Sequence, residues 1–281
     1  MATKKAASKA TKAKKAVPKA KPEAKLTKTT ETKVKTVKAT NSDFVSEITK
    51  PAFLATLVAE LIGTFLLAAG VIATSGQPLF VLFLLTAIVL MIGSISGAHV
   101  NPLITIGAWA TRRITTIKAV GYIVAQVLGS MLAFVVLSAF VNQAPEVSQE
   151  MQAYGQQAPS LFTAAAIPEG KELTVLFAEL IGATIFAFTF ATVTADKKKG
   201  ETSAAFGVGG GLFIASLVGG SAAAIVSATA VINPAVAIAL QSFTVEGTST
   251  VWAIAIYGGT ALIGGILGFA ISSIVEKARE K

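Results

Sequence analysis

Two asparagine–proline pairs, Asn101-Pro102-Leu103 and Asn233-Pro234-Ala235, stand in apolar sequence with no charge for several residues on either side. In a soluble protein Asn-Pro marks a surface turn. Here each pair opens a short apolar helical stretch, over 103–110 and 235–240. Proline suits the first helical position, whose N–H has no intrahelical partner. Asparagine caps a helix with its side-chain oxygen and keeps an amide to offer a passing solute. Two such half-helices within membrane-length apolar sequence imply a pore rather than an anchor. Glu60 and Glu179 are the other polar groups of interest, because they are the only charges inside the long apolar stretches. A carboxylate at that depth needs partners, either as a proton carrier or as an acceptor for loop N–H groups.

The elements that must position these residues are read from hydropathy. A membrane-crossing helix needs about 20 apolar residues. Six stretches qualify, over 52–73, 79–95, 119–141, 173–194, 203–221 and 251–273, and the half-helices follow the second and the fifth. The chain is 53% hydrophobic and 14% charged, which fits an integral membrane protein. It has no cysteine and one histidine, so disulfides, thiolate chemistry and multi-histidine metal sites are excluded. No nucleophile–base pair is visible, so neither an enzyme nor a cofactor is expected. The run Gly207-Val208-Gly209-Gly210-Gly211 lies within a span, where close helix packing accounts for it better than phosphate binding.

Charge divides the chain into three parts. Residues 1–50 hold 14 of the 24 Lys+Arg, so the net charge of +9 belongs to the N-terminal segment. A Lys/Ala/Thr/Pro-rich tail over 1–49 cannot bury enough apolar surface to fold and is expected to be disordered. Its expected contacts are anionic lipid headgroups or, as a second reading, non-specific nucleic acid. Residues 50–275 form the membrane domain and 276–281 a short C-terminal tail. Arg112, Arg113 and Lys118 follow span two, residues 197–199 follow span four, and Lys277, Arg279 and Lys281 follow span six. The connection 142–171 carries Glu146, Glu150 and Glu169 against one lysine. This alternation places both termini in the cytoplasm of a multi-pass protein of the cell membrane.

The halves repeat. Val58-Ala-Glu60-Leu-Ile-Gly63-Thr64 matches Phe177-Ala-Glu179-Leu-Ile-Gly182-Ala183, Asn101-Pro102 matches Asn233-Pro234, and Tyr122 with Gly129 recurs as Tyr257 with Gly264. Each half, about 52–141 and 173–273, holds three spans, so the second is inverted relative to the first. Inverted repeats with broken helices place the solute site near the midplane. The expected fold is all-α and integral to the membrane, with six transmembrane helices plus two half-helices in an inverted 3+3 repeat.

Over residues 52–273 these motifs, with Ser96-Gly-Ala-His-Val-Asn-Pro102 and Tyr122-Ile-Val-Ala-Gln126, resemble the aquaporin (major intrinsic protein) family. The resemblance implies a passive channel for water or small uncharged solutes such as glycerol, and a homotetramer with one pore per subunit. It implies that Glu60, Glu179, His99 and Gln126 brace the loops, and that Asn101 and Asn233 meet a solute at the midplane. Two half-helix N-termini, each worth about +0.5 elementary charge, would repel cations there. Two departures bear on the solute. The first box has Leu103 where the family has alanine, and Val236 stands where the family has its constriction arginine. The other constriction positions resemble Val81, Ala230 and Ser221, the last in a stretch, 219–232, that fits the family pattern poorly. Together they describe a wide, apolar mouth. A secondary active transporter is the rival reading, since it too uses inverted repeats and broken helices. A membrane tether acting through the basic tail is a third.

Overall fold

The computed structural model describes residues 46, 48–145, 147–196 and 198–279. Of the tail expected over 1–49, residues 1–45 and 47 lie outside the described residues, as do the loop charges Glu146, Lys197 and Lys281. Among the described residues every regular element is helical. Three helices, α1 (Pro51–Ala73), α2 (Pro78–Ser96) and α4 (Thr116–Val141), make the long elements of the first half, with the half-helix α3 (Pro102–Ala110) between the last two. The connection to the second half carries a short helix, α5 (Gln149–Ala153), which the sequence pattern does not announce. The second half comprises α6 (Glu172–Ala195), α7 (Glu201–Ala215), a π turn over Ser216–Gly220, α8 (Ser221–Ala224) and the half-helix α9 (Pro234–Ala239). It ends with α10 (Thr250–Ala253), a second π turn over Ile254–Thr260, and α11 (Ala261–Arg279). Reading through the π turns, six helices among the described residues are long and apolar enough to cross a membrane, as in a multi-pass membrane protein.

Local chemistry sets the ends. Proline occupies the first turn of α1, α2, α3 and α9, where its missing N–H costs nothing. Gly97 closes α2 at φ 90°, a left-handed cap that turns the chain sharply into the first Asn-Pro loop. Each π turn adds a residue per turn and shifts the register of the face beyond it. The turn over Ser216–Gly220 thus sets the register at which Ser221 and the rest of this segment leave the helix. The last helix runs through residues 276–279, which the sequence reading assigns to a tail. Glu276 holds it there, accepting from Arg113 Nη2 at 2.9 Å and from Ser272 Oγ at 2.8 Å.

Lipid offers apolar helices no hydrophobic drive to associate, so close packing through small residues must do it. α1 packs on α4, and α6 on α11, through equivalent glycines. A Cβ at Gly129 would run into the Leu61 carbonyl and the backbone of Phe65. A Cβ at Gly264 would meet the Leu180 carbonyl and Thr184 nitrogen at 3.1 Å each. The glycine run on α7 does the same work, with Gly207 against Val193, Gly209 against Leu82 and Thr86, and Gly211 against Thr189. Gly210 faces open space. Gly129→Ala is expected to cost about 1–3 kcal/mol, because backbone cannot move aside as a side chain can. Gly210→Ala should be neutral or slightly stabilising. The thermal midpoints of the two variants in detergent, read by size-exclusion fluorescence, check this contrast; equal midpoints would refute it.

Candidate functional site: two half-helix loops between two cavities

Each half-helix is entered through a strained residue. Val100 and Ile232, the β-branched residues just before the asparagines, have φ of 41° and 57°. Side chains of this type rarely tolerate positive φ, at a cost of about 1–3 kcal/mol each. Two neighbours in the repeated Glu-Leu-Ile-Gly motif compensate. Glu60 accepts the Val100 N–H at 2.7 Å, and Glu179 accepts the Ile232 N–H at 3.0 Å. Three residues on, a Cβ at Gly63 would come within 2.6 Å of Val100 Cγ1, and one at Gly182 within 2.5 Å of Ile232 Cδ1. The glycines leave room for the side chains that the carboxylates hold in place.

The strained turn aims each carbonyl across the repeat axis. Asn101 Nδ2 donates to the Ile232 carbonyl at 2.9 Å, and Asn233 Nδ2 donates to the Val100 carbonyl at 3.0 Å. The side-chain oxygens cap their own helices: Asn101 accepts from the Leu103 N–H, and Asn233 from those of Ala235 and Val236. Both asparagines are buried, as are Pro102, Leu103 and Ala235. An asparagine amide has two N–H groups. One on each is committed to the opposite half.

The first loop has a polar scaffold of its own. Glu60 also accepts from the Ser96 hydroxyl (2.7 Å), the His99 N–H (2.9 Å) and Gln126 Nε2 (2.8 Å). Gln126 donates again to Thr105 Oγ1 at 3.0 Å, and His99 Nδ1 lies 3.2 Å from the same hydroxyl. The second loop does without all four side chains. Ser96, His99, Thr105 and Gln126 correspond to Ala228, Val231, Ala237 and Ala261. Glu179 receives only backbone N–H groups, from Val231 and Ile232. A tyrosine steadies both loops, Tyr122 donating to the Ser96 carbonyl and Tyr257 to that of Thr229. Ser130 of α4 reaches across to the Ala235 carbonyl. The tyrosines are visible in sequence as a repeat, whereas Ser130 carries no signal there.

Two cavities approach these loops from opposite ends of the bundle. One, of about 350 Å³, reaches Asn233 and brings together Val81, Ser221, Ala230 and Val236 from three separate segments. Its wall also includes Phe162, from the connection between α5 and α6, which the sequence gives no reason to select. The other, of about 450 Å³, reaches His99 and is lined by Phe190, Phe269, Arg113 and Glu201. The His99 ring stands edge-on to Tyr122 and Phe190, at centroid separations of 5.3 and 5.7 Å. Leu103 lines neither cavity; it is fully buried, so its bulk goes into helix packing rather than the cavity walls. Among the described residues no cluster of metal-ligating side chains occurs.

The sequence model of the major intrinsic protein family matches residues 47–271. Aquaporin Z of Photorhabdus laumondii is 28% identical over 232 residues, covering 74% of this chain and 94% of that protein. Nodulin-26 of Glycine max is 30% identical over 182 residues, 60% of this chain and 61% of its own length. The X-ray structure of the aquaglyceroporin from Plasmodium falciparum superposes with a TM-score of 0.57 over 78% of this chain and 93% of that one, at 18% identity, and so shares its fold. With a model match over most of its length and the same fold, the chain belongs to the major intrinsic protein family of aquaporin-type channels.

Proposed function

We propose that this protein is a passive channel for water and small uncharged solutes such as glycerol. The pore runs from one cavity to the other past Asn101 and Asn233. The observation that carries this reading is the crossed pair of asparagine–carbonyl hydrogen bonds, which uses one amide N–H on each side chain and leaves the second for a solute oxygen. Around that point the walls are apolar, so a solute exchanges its water shell for few and fixed partners. The half-helices α3 and α9 add positive potential from their N-termini, which disfavours cations. Val81, Ser221, Ala230 and Val236 form the outer constriction, with no charged side chain among them. Glu60, Glu179, His99 and Gln126 are the braces of the loops, since both carboxylates, Gln126 Nε2 and His99 Nδ1 are engaged by loop and half-helix groups and by one another.

The loop charges support an orientation with both termini cytoplasmic, in the cell membrane, which puts the cavity at Val236 on the outer side. A homotetramer with one pore per subunit is the assembly that family membership supports. The lysine-rich tail is assigned to electrostatic contact with anionic lipid headgroups, and binding to nucleic acid by the same charges would be sequence-blind. Proteoliposomes in a stopped-flow light-scattering assay test the central claim. Shrinkage in an impermeant osmolyte and reswelling in glycerol should both exceed those of empty vesicles and should ignore an imposed proton gradient. Solute accumulation driven by such a gradient would instead establish a secondary transporter.

A further inference from the structure

Phe162 belongs to a connecting segment, yet it shares a cavity wall with Val81, Ser221, Ala230 and Val236. We infer that Phe162 is a specificity-determining residue, setting the size limit of the outer mouth in place of the bulk that Val236 lacks; the inference rests on the channel reading above.

Three features of the structure carry it. The main chain that follows Phe162 is stitched down on both sides of the mouth. The Ala164 N–H donates to the Leu240 carbonyl at 2.9 Å, beside the end of α9. The Ala165 N–H donates to Thr229 Oγ1 at 3.0 Å, one residue from Ala230, and the Ile167 N–H donates to Thr248 Oγ1 at 2.8 Å. Ala164 and Ile167 are themselves buried and act as pegs, so the position of Phe162 in the segment is fixed.

The ring also has a seat. Gly76, at φ 66°, turns the connection between α1 and α2 so closely beneath it that a Cβ there would lie 3.3 Å from Phe162 Cε1. Phe162 is nevertheless only half-buried, so part of the ring remains at the cavity rather than in the core. Finally, its chemistry suits the task. A phenyl ring is rigid and wide and offers no hydrogen-bond donor, so it screens by cross-section. An arginine at the constriction would screen by charge and hydrogen bonding as well. With valine at 236, a neutral mouth needs its narrowing from elsewhere, and Phe162 is the large side chain that the outer connection places there.

The experiment compares water, glycerol and the bulkier polyol xylitol in proteoliposomes containing wild type, Phe162→Ala, Phe162→Leu or Phe162→Trp. Phe162→Ala should raise xylitol flux relative to water several-fold. Phe162→Leu, which keeps an apolar seat on Gly76, should raise it less, and Phe162→Trp should lower glycerol flux relative to water. A wild type that conducts, with solute-to-water ratios unchanged in all three variants, overturns the inference and leaves the channel reading standing. A parallel fall for every solute also overturns it, since that result assigns Phe162 to anchoring the loop. A wild type that passes nothing above empty vesicles removes the channel reading itself, and the inference with it.

Discussion

Val236→Arg lowers glycerol flux by about tenfold, equivalent to about 1.4 kcal/mol on the barrier, while water flux falls much less. Val236 sits in the first turn of α9, its N–H held by Asn233 Oδ1 at 3.2 Å, and its side chain lines the cavity that reaches the asparagine. The backbone there is fixed, so a longer side chain has only the cavity of about 350 Å³ to enter. A guanidinium in that space adds a permanent positive charge and five donors, and it fills cross-section that a polyol needs. Water, smaller and able to use the same donors, is obstructed less. The charge also strengthens the barrier to protons and metal cations, adding to that of the half-helix ends. Osmotic shrinkage and glycerol reswelling, paired with a pH-sensitive dye inside the vesicles, report all three effects at once. If Val236→Arg leaves water, glycerol and proton permeation unchanged in a protein that conducts, position 236 is not at the constriction.

The second large effect is on assembly. Glu60→Ala deprives four donors of their acceptor at membrane depth, the Ser96 hydroxyl, the His99 and Val100 N–H groups and the Gln126 amide. Each orphaned donor costs about 1–3 kcal/mol, and the sum rivals the stability of an ordinary folded domain. The variant should give no monodisperse protein. Glutamine separates the two halves more finely. At position 60 its new amide group can donate to the Ser96 hydroxyl, which is able to turn and accept. At position 179 the surrounding donors are backbone N–H groups that cannot reverse, and the residues matching Ser96 and Gln126 are alanines. Glu179→Gln should therefore lower the thermal midpoint more than Glu60→Gln. A Glu60→Ala protein as stable as wild type, or the opposite order for the two glutamine variants, would remove the carboxylates from the role assigned to them.

What was legible in the sequence was the part governed by short range. Asn-Pro announces the start of α3 and α9 because the capping oxygen and the proline ring act within a turn. Spans follow from hydropathy, and the inverted repeat follows from their odd number in each half. The clasp between the halves was not legible, because Asn101 and Ile232 are 131 residues apart and Asn233 and Val100 are 133 apart. Nor does any local preference predict positive φ at valine and isoleucine; tertiary contacts to Glu60, Glu179, Gly63 and Gly182 impose it. The π turns escaped for a related reason, since an added residue in a helix leaves composition unchanged. Phe162 was hidden because its segment has no periodicity, and its place is fixed by long-range contacts, the seat at Gly76 and hydrogen bonds to Leu240, Thr229 and Thr248.

The unequal bracing of the two loops bears on how the chain is built during synthesis. Every partner of Glu60 lies within the first half, so the first re-entrant loop can be set as soon as α4 has entered the bilayer. Its Asn101 amide and Val100 carbonyl then stand unpaired until the ribosome delivers the second half. That half has fewer fastenings of its own and takes them from the first, through Ser130 to the Ala235 carbonyl and through Val100 to Asn233. The N-terminal half is thus the mould and the C-terminal half the cast. Both hydrogen bonds of the clasp join one half to the other, so neither can form before the last loop is in place.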